Sequence, residues 1–481
     1  MLLHLAWRHN LDGLDLALAV NRLAAHGTSV WWLGAAGPEH EPGDYLIDVG
    51  AAVETALAGF GLMARRWRDS LPDGAIALAA PRIALLAGTA AAYPNFAYYA
   101  MALARLGFDV ELIDGAAIAA GWLGAVDIVV LPAGSAIWGL DAAEGVIGAD
   151  ARLRAFLDAG GAAVASSGGA FYLSAGRPGW TGTARARPHH AHEYLRTGVG
   201  IVSVRLLADS IAFGCPPTLD MPYYHGPVYD ELDRSVSSAA TFHRLVMPGR
   251  LFFDNPLDPE VFRRELAGHT AILRAEGRRG RAVLFSPDPE MGDLIRRYIA
   301  FDDYVAHYLP LHGEATMADT LRHYRPLESP SWRLVLNAIH SLMLRRRPVS
   351  LPSPSIAPRP DDGDPPDLAA ATEAALGRLP EFDGRRRHLA EILRDDLAAR
   401  LGGVRSRLAA AEAPLLSLAG PAPAIRALRT DCERAAVAAF VAKAAGERTG
   451  TERLAEIDTA VTLLEAWCRL AEAEAHFTGA R

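Results

Sequence analysis

Lysine is nearly missing from this 481-residue chain: Lys443 is the sole ammonium side chain, and arginine supplies the rest of the positive charge. The formal net charge is −8, and phosphate binding needs a concentrated basic surface, so no nucleic-acid partner is expected. Cysteine is scarce too. Cys215, Cys432 and Cys468 are odd in number and widely spaced, which fits neither a disulfide framework nor a zinc ribbon and points to a reducing, cytoplasmic setting. Long apolar runs are also lacking. Met1-Leu2-Leu3 meets His4, Arg8 and His9 too soon for a signal peptide, and Ala75 to Tyr93 is broken by Pro81 and Arg82, so no membrane anchor is expected.

What is present is an ordinary globular composition, 51% hydrophobic and 22% charged, at a length that usually divides into two or three domains. The abundance of alanine and arginine is the bias of a GC-rich bacterial genome. Residues 1–79 mix helix spacing at Leu14 to Ala25 and Ala51 to Met63 with strand signals at Ser29 to Leu33 and Tyr45 to Val49, giving a small α/β unit or an extension of the next sheet. From Arg82 a regular alternation begins. Ile83 to Ala87, Val110 to Ile113, Ile128 to Leu131 and Ala162 to Ala165 read as apolar strands, with helices at Phe96 to Leu106 and Ala151 to Ala159. Strands apolar on both faces and joined by helices predict a parallel sheet covered on both sides.

Shorter β-like pieces follow at Ile201 to Leu207, Thr241 to Met247, Thr270 to Arg274 and Ala282 to Phe285. Helix signals return at Leu294 to Leu309 and Trp332 to Leu344. The domain map is therefore 1–79, 80–312, a helical extension 313–347, a Pro-rich linker 348–367, and a helical bundle 368–481 without strand signal. The bundle carries apolar stripes such as Leu389, Ile392, Leu393, Leu397 and Leu401. It is read as a module for a protein partner or self-association, because it holds no chemical motif.

Chemistry is concentrated in three segments. Leu131-Pro132-Ala133-Gly134 is followed, after one helix, by the turn Ala165-Ser166-Ser167-Gly168-Gly169-Ala170. A strand ending in small residues, a hydroxyl residue and then glycines opening a helix has the form of a nucleophile elbow, with helix N–H groups offered to an oxyanion. Ser167 stands at the tip, and Ala133, Gly134, Gly168, Gly169 and Tyr224 are the expected pocket residues. The third segment runs from Gly280 through Ser286-Pro287-Asp288-Pro289-Glu290.

With Tyr223-Tyr224-His225-Gly226-Pro227-Val228-Tyr229, these segments resemble the class I glutamine amidotransferase superfamily, most of all the amidotransferase-like domain at the N-terminus of some biotin-protein ligases. The resemblance implies a flavodoxin-like α/β sheet over about half the chain, followed here by an all-α C-terminal region. It also implies a catalytic cysteine where Ser167 stands and a His-Pro-Glu triplet where Asp288-Pro289-Glu290 stands, so both principal catalytic groups are changed. Ala133 replaces a glycine that usually helps to form the oxyanion hole. The elbow is similar as well to that of the peptidase E and cyanophycinase group, which use serine.

Serine needs an adjacent base, and Asp288, with a reference value near ~3.9, is expected to be ionised and a poor proton acceptor unless burial raises it. His225, His189, His190 and His192 are the candidate replacements. His189 with His192 or Glu193 has metal-ligand spacing if helical, yet the basic, glycine-containing stretch before it reads as a solvated loop; no metal or other cofactor is expected. His388 and Glu391 read as an exposed helix face. Glu290, without a family histidine to orient, is expected to pair with an arginine. Three readings follow: a non-catalytic amidotransferase-like binding or scaffold protein; a serine hydrolase or amidase using Ser167; and, from the order of the first two units, an accessory part of a zinc carboxypeptidase-like system.

Overall fold

The computed structural model describes residues 1–481 apart from 11–12, 92–93, 135–138, 190–196, 247–254, 256, 278–279, 293–329, 345–367, 380–385, 411–449 and 479–481. The expected helix at Leu294 to Leu309 and the linker at 348–367 lie outside the described residues. The first 78 residues build a five-stranded sheet: β1 (Leu2–Leu5), β2 (Ser29–Leu33), β3 (Tyr45–Asp48), β4 (Arg65–Arg66) and β5 (Ala75–Leu78), in the order β4-β1-β3-β2-β5. Every pair is antiparallel. In β2 the buried residues Val30 and Trp32 alternate with Ser29 and Trp31, the period of a half-buried strand. This unit has its own sheet. The three strands not read in the sequence, β1, β4 and β5, are four, two and four residues long and carry too few periods to stand out.

The second sheet contains β6 (Ile83–Leu86), β7 (Val110–Ile113), β8 (Ile128–Leu131), β9 (Ala162–Ser166), β10 (Ala186–Pro188) and β11 (Val199–Leu206). It continues with β12 (Thr218–Tyr224), β13 (Tyr229–Leu232), β14 (Val236–Leu245), β15 (Thr270–Gly277) and β16 (Gly280–Phe285). Its order is β12-β11-β14-β15-β16-β9-β8-β6-β7, with β10 and β13 paired beside it. The pairs β6–β7, β6–β8, β8–β9 and β9–β16 are parallel. Numbered along the chain, that parallel core runs 2-1-3-4-5, the flavodoxin-like doubly wound order. The strands divide their side chains between two cores. Ile83, Leu85, Ile128 and Val130 enter one, and Ala84, Leu86, Val129 and Leu131 the other, which is why the sequence shows continuous apolar runs rather than alternation.

From β16 the sheet continues antiparallel through β15, β14, β11 and β12. Strand β14 begins at Val236, five residues before the expected start at Thr241, and register shifts near Ser238 and Ala240 break the alternation that would have marked it. Helix Trp332–Met343 is buried along its whole length. Ser331 Oγ and Trp332 Nε1 donate to the carbonyls of Pro289 and Glu290 at 2.8 and 2.9 Å, tying this helix to the end of β16.

The C-terminal region is helical in its described parts: Leu368–Gly377, Arg386–Ala410 and Gly450–Thr478. The last of these lies on Asn95–Arg105 and Gly13–Ala25. Arg469 Nη2 meets Asp15 Oδ2 at 2.5 Å, and His476 Nε2 lies 2.8 Å from the Ala56 carbonyl. One face of this helix is thus engaged within the chain. Among the described residues no helix is long and apolar enough to cross a membrane.

Candidate functional site

Three turns follow the carboxyl ends of the neighbouring strands β8, β9 and β16, the edge where open α/β sheets place their ligands. Strand β9 ends at Ser166, and helix Ser167–Leu173 starts at once. Ser167 has φ 44°. For a residue with a Cβ this left-handed conformation is strained by roughly 1–2 kcal/mol and persists only where the surroundings impose it. Those surroundings are backbone. A Cβ on Gly168 would sit 2.3 Å from the Gly134 carbonyl oxygen, and one on Gly169 would sit 2.2 Å from that of Leu131. Gly169 N donates to Pro132 O at 3.2 Å. The "LPAG" turn therefore presses directly on the elbow, and glycine is required because the obstacle is main chain. Gly168→Ala is expected to destabilise the protein by about 3 kcal/mol, the upper part of the usual overpacking range. Urea denaturation against wild type checks this; a loss below about 1 kcal/mol would show that the two turns separate easily.

The Ser167 hydroxyl donates to the carbonyl oxygen of Tyr224 at 3.1 Å. The Tyr224 N–H donates to Asp288 Oδ2 at 3.2 Å. Asp288 and Glu290 are fully buried, with 0% exposure. Ser166 Oγ donates to Glu290 Oε1, and the Tyr99 hydroxyl stands beside both. Burial, and then the neighbouring Glu290 charge, hold the Asp288 carboxyl well above its ordinary range, while burial raises Glu290 to about 8. Two carboxyl groups in a dry site do not both ionise readily. This corrects two expectations. Asp288 is not an ordinary ionised carboxylate, because it is fully buried beside Glu290, and Glu290 takes Ser166 rather than an arginine as partner.

His225 is the other non-glycine residue with positive φ, at 49°. Its Nδ1 accepts from Gly198 N at 2.9 Å and its own N–H donates to Gly198 O at 2.9 Å. With Nδ1 an acceptor, the ring proton is on Nε2. Burial lowers its basicity. Gly226 follows because a Cβ there would lie 1.8 Å from the Ser286 carbonyl oxygen, which locks this turn against the end of β16. Among the described residues, no histidine hydrogen-bonds to Ser167. His189 is held near Asp230 and Glu265, at 3.7 and 3.5 Å. His190, His192 and Glu193 lie outside the described residues, as does the side chain of His388; Glu391 is exposed and pairs with Arg387.

The fold thus gathers Ala133, Gly134, Ser167, Gly168, Gly169, Tyr224, Asp288 and Glu290 at one edge, with Ser167 only 8% exposed. Phe171 and Tyr172 do not cover the elbow. They turn into the core, Phe171 against Trp180 and Tyr172 hydrogen-bonded to Asp150. Ser166 and Tyr99 were not anticipated. The doubled serine is visible in the sequence, but which carboxylate meets it is not.

No family model and no curated protein matches this chain. Among solved structures, a GMP synthase component from Thermoplasma acidophilum matches at 13% identity and a TM-score of 0.30, covering 44% of this chain and 85% of its own. A glutamine amidotransferase matches at 15% identity and 0.30, covering 47% and 98%. A ThuA-like protein from Bacteroides uniformis matches at 10% identity and 0.30, covering 59% and 97%. Likeness at this level carries no argument about chemistry; the flavodoxin-like architecture rests on the strand order of the chain itself.

Proposed function

We propose that this is an amidotransferase-like protein that does not run the amidotransferase reaction at its elbow and serves as a binding or scaffold component of a larger assembly. One observation carries the reading: the hydroxyl proton of Ser167 is committed to a backbone carbonyl, a group that orients a proton but does not remove it. A serine hydroxyl becomes a nucleophile only with a base in hydrogen-bonding reach. His225, which follows the Tyr224 that accepts this hydrogen bond, spends its acceptor nitrogen on Gly198. The partner-binding part of the reading rests on residues 368–481, where helix Gly450–Thr478 already uses one face against the α/β domain.

The serine hydrolase remains the second reading, because φ 44° at Ser167 is the backbone form of a nucleophile elbow. A fluorophosphonate probe separates the two. We expect no labelling of Ser167, no measurable glutaminase activity, and no change in any cellular role on Ser167→Ala, since losing members of a unit that acts together leaves only residual rates. Strong labelling that vanishes in Ser167→Ala would replace the scaffold reading with the hydrolase; dependence on His225 as well would identify its base. The accessory-part reading has no further observation in its favour.

A further inference from the structure

Helix Asn95–Arg105 carries two adjacent tyrosines, Tyr98 and Tyr99, and both are buried. Successive helical side chains diverge by about 100°, so the pair serves two different neighbours. Tyr99 faces the elbow. Its hydroxyl stands beside Ser166 and Glu290 and close to Asp288, and the helix packs on the turn Pro289–Met291. Tyr98 faces the C-terminal region. Its hydroxyl hydrogen-bonds to Thr459 on helix Gly450–Thr478 and lies within reach of Glu456 and Asp458 there and of Asp288 at the elbow.

Thr459, Glu456 and Asp458 are buried too, and Asp458 is held from its other side by Arg400 of helix Arg386–Ala410. A run of packed groups therefore leads from Arg400 and Asp458, through Thr459, Tyr98 and Tyr99, to Glu290 and Ser166 beside the elbow serine. Interiors packed at crystal-like density pass a displacement on rather than absorb it. A buried hydroxyl deprived of its partner is costly, so helix Asn95–Arg105 keeps its place only while both neighbours keep theirs.

We propose that this helix is the link by which the C-terminal region governs the elbow: Tyr98 registers whether helix Gly450–Thr478 is seated, and Tyr99 passes that state to Glu290 and Ser166. The inference rests on the reading of residues 368–481 as a partner-binding region and adds what binding there does. A partner that draws Gly450–Thr478 away loosens the Tyr99 contact and frees the turn that holds Ser167. Coupling of this kind is reciprocal. A change at Glu290 therefore alters how firmly the C-terminal helix is seated.

The test is amide hydrogen exchange of the full chain, read by mass spectrometry. Thr459→Val keeps the side-chain shape and removes the hydroxyl. It is expected to speed exchange at least about threefold, the effect of one lost neutral hydrogen bond, in Gly450–Thr478 and also in Ser167–Leu173, and to leave Tyr45–Asp48 of the first sheet unchanged. In a Tyr98→Phe background the same substitution is expected to add nothing at the elbow. Read the other way, Glu290→Gln is expected to change exchange in Gly450–Thr478, which keeps the test available if Thr459→Val folds poorly. An elbow that does not respond to Thr459→Val, a response that survives in the Tyr98→Phe background, a silent Gly450–Thr478 in Glu290→Gln, or equal acceleration in Tyr45–Asp48 would each overturn the proposal and leave the two tyrosines as packing alone. The chain is measured without a partner, so this result and the scaffold reading stand or fall separately.

Discussion

Raising the pH from about 5 to about 8.5 is expected to lower the unfolding free energy of the wild-type protein, and Glu290→Gln is expected to reduce that slope. The sign follows from which state holds the proton. A glutamate in the unfolded chain releases its proton near ~4.3, whereas Glu290 in the folded protein keeps it until about 8. Between these values the native state binds more protons than the unfolded one, so stability falls with pH. The contribution is complete below the unfolded value and lost as pH rises through the folded one. Asp288 acts in the same direction. Glutamine keeps an oxygen for Ser166 Oγ and has no proton to lose. Urea titrations of both proteins at pH 5, 7 and 8.5 are the measurement. A flat wild-type profile would mean that the carboxyl pair is hydrated, and a Glu290→Gln profile as steep as wild type would place the titrating group elsewhere.

Arg400→Ala is expected to cost about 3–5 kcal/mol, the usual result of removing one partner from a buried ion pair. Arg400 Nη1 meets Asp458 Oδ1 at 2.5 Å, and Nη2 meets Glu465 Oε2 at 2.6 Å and Thr462 Oγ1 at 2.8 Å. The Asp458 side chain is fully buried. Alanine takes the guanidinium away from this carboxylate, which keeps the hydrogen bond from Thr462 Oγ1 at 3.3 Å, between helices Arg386–Ala410 and Gly450–Thr478. The loss should appear as faster amide exchange along Gly450–Thr478, the helix that also covers Asn95–Arg105 and carries Arg469 to Asp15. Arg400→Leu with Asp458→Leu should recover most of it, because the cost comes from a buried carboxylate that has lost its guanidinium rather than from the missing attraction. A single mutant within about 1 kcal/mol of wild type would make the pair no better than a surface bridge, and the helices would owe their docking to apolar contacts alone.

Much of the fold was legible beforehand. Val110–Ile113 and Ile128–Leu131 are strands at their expected bounds, and the expected helices from Leu14 and Phe96 start one residue early at Gly13 and Asn95. Their signals are local, since a helix or a strand repeats its apolar side chains within a few residues. Strand β12 was missed because Thr218–Tyr224 contains Pro222, although it pairs along its whole length with β11. The elbow was legible for the same local reason: serine followed by two glycines at a strand end permits few other backbones.

The sequence by itself determined the βα alternation and the elbow at Ser167, because each is a property of residues adjacent in the chain. Only the tertiary structure decided that burial raises Asp288 and Glu290 above the ordinary carboxylate range, that Ser166 rather than an arginine meets Glu290, that His225 is held by Gly198, and that Arg333 lies buried on Trp7. Those properties depend on how much water and which polar groups surround a side chain. Ser166 and Glu290 are 124 positions apart, and no local pattern encodes the field that one residue exerts on another across that separation.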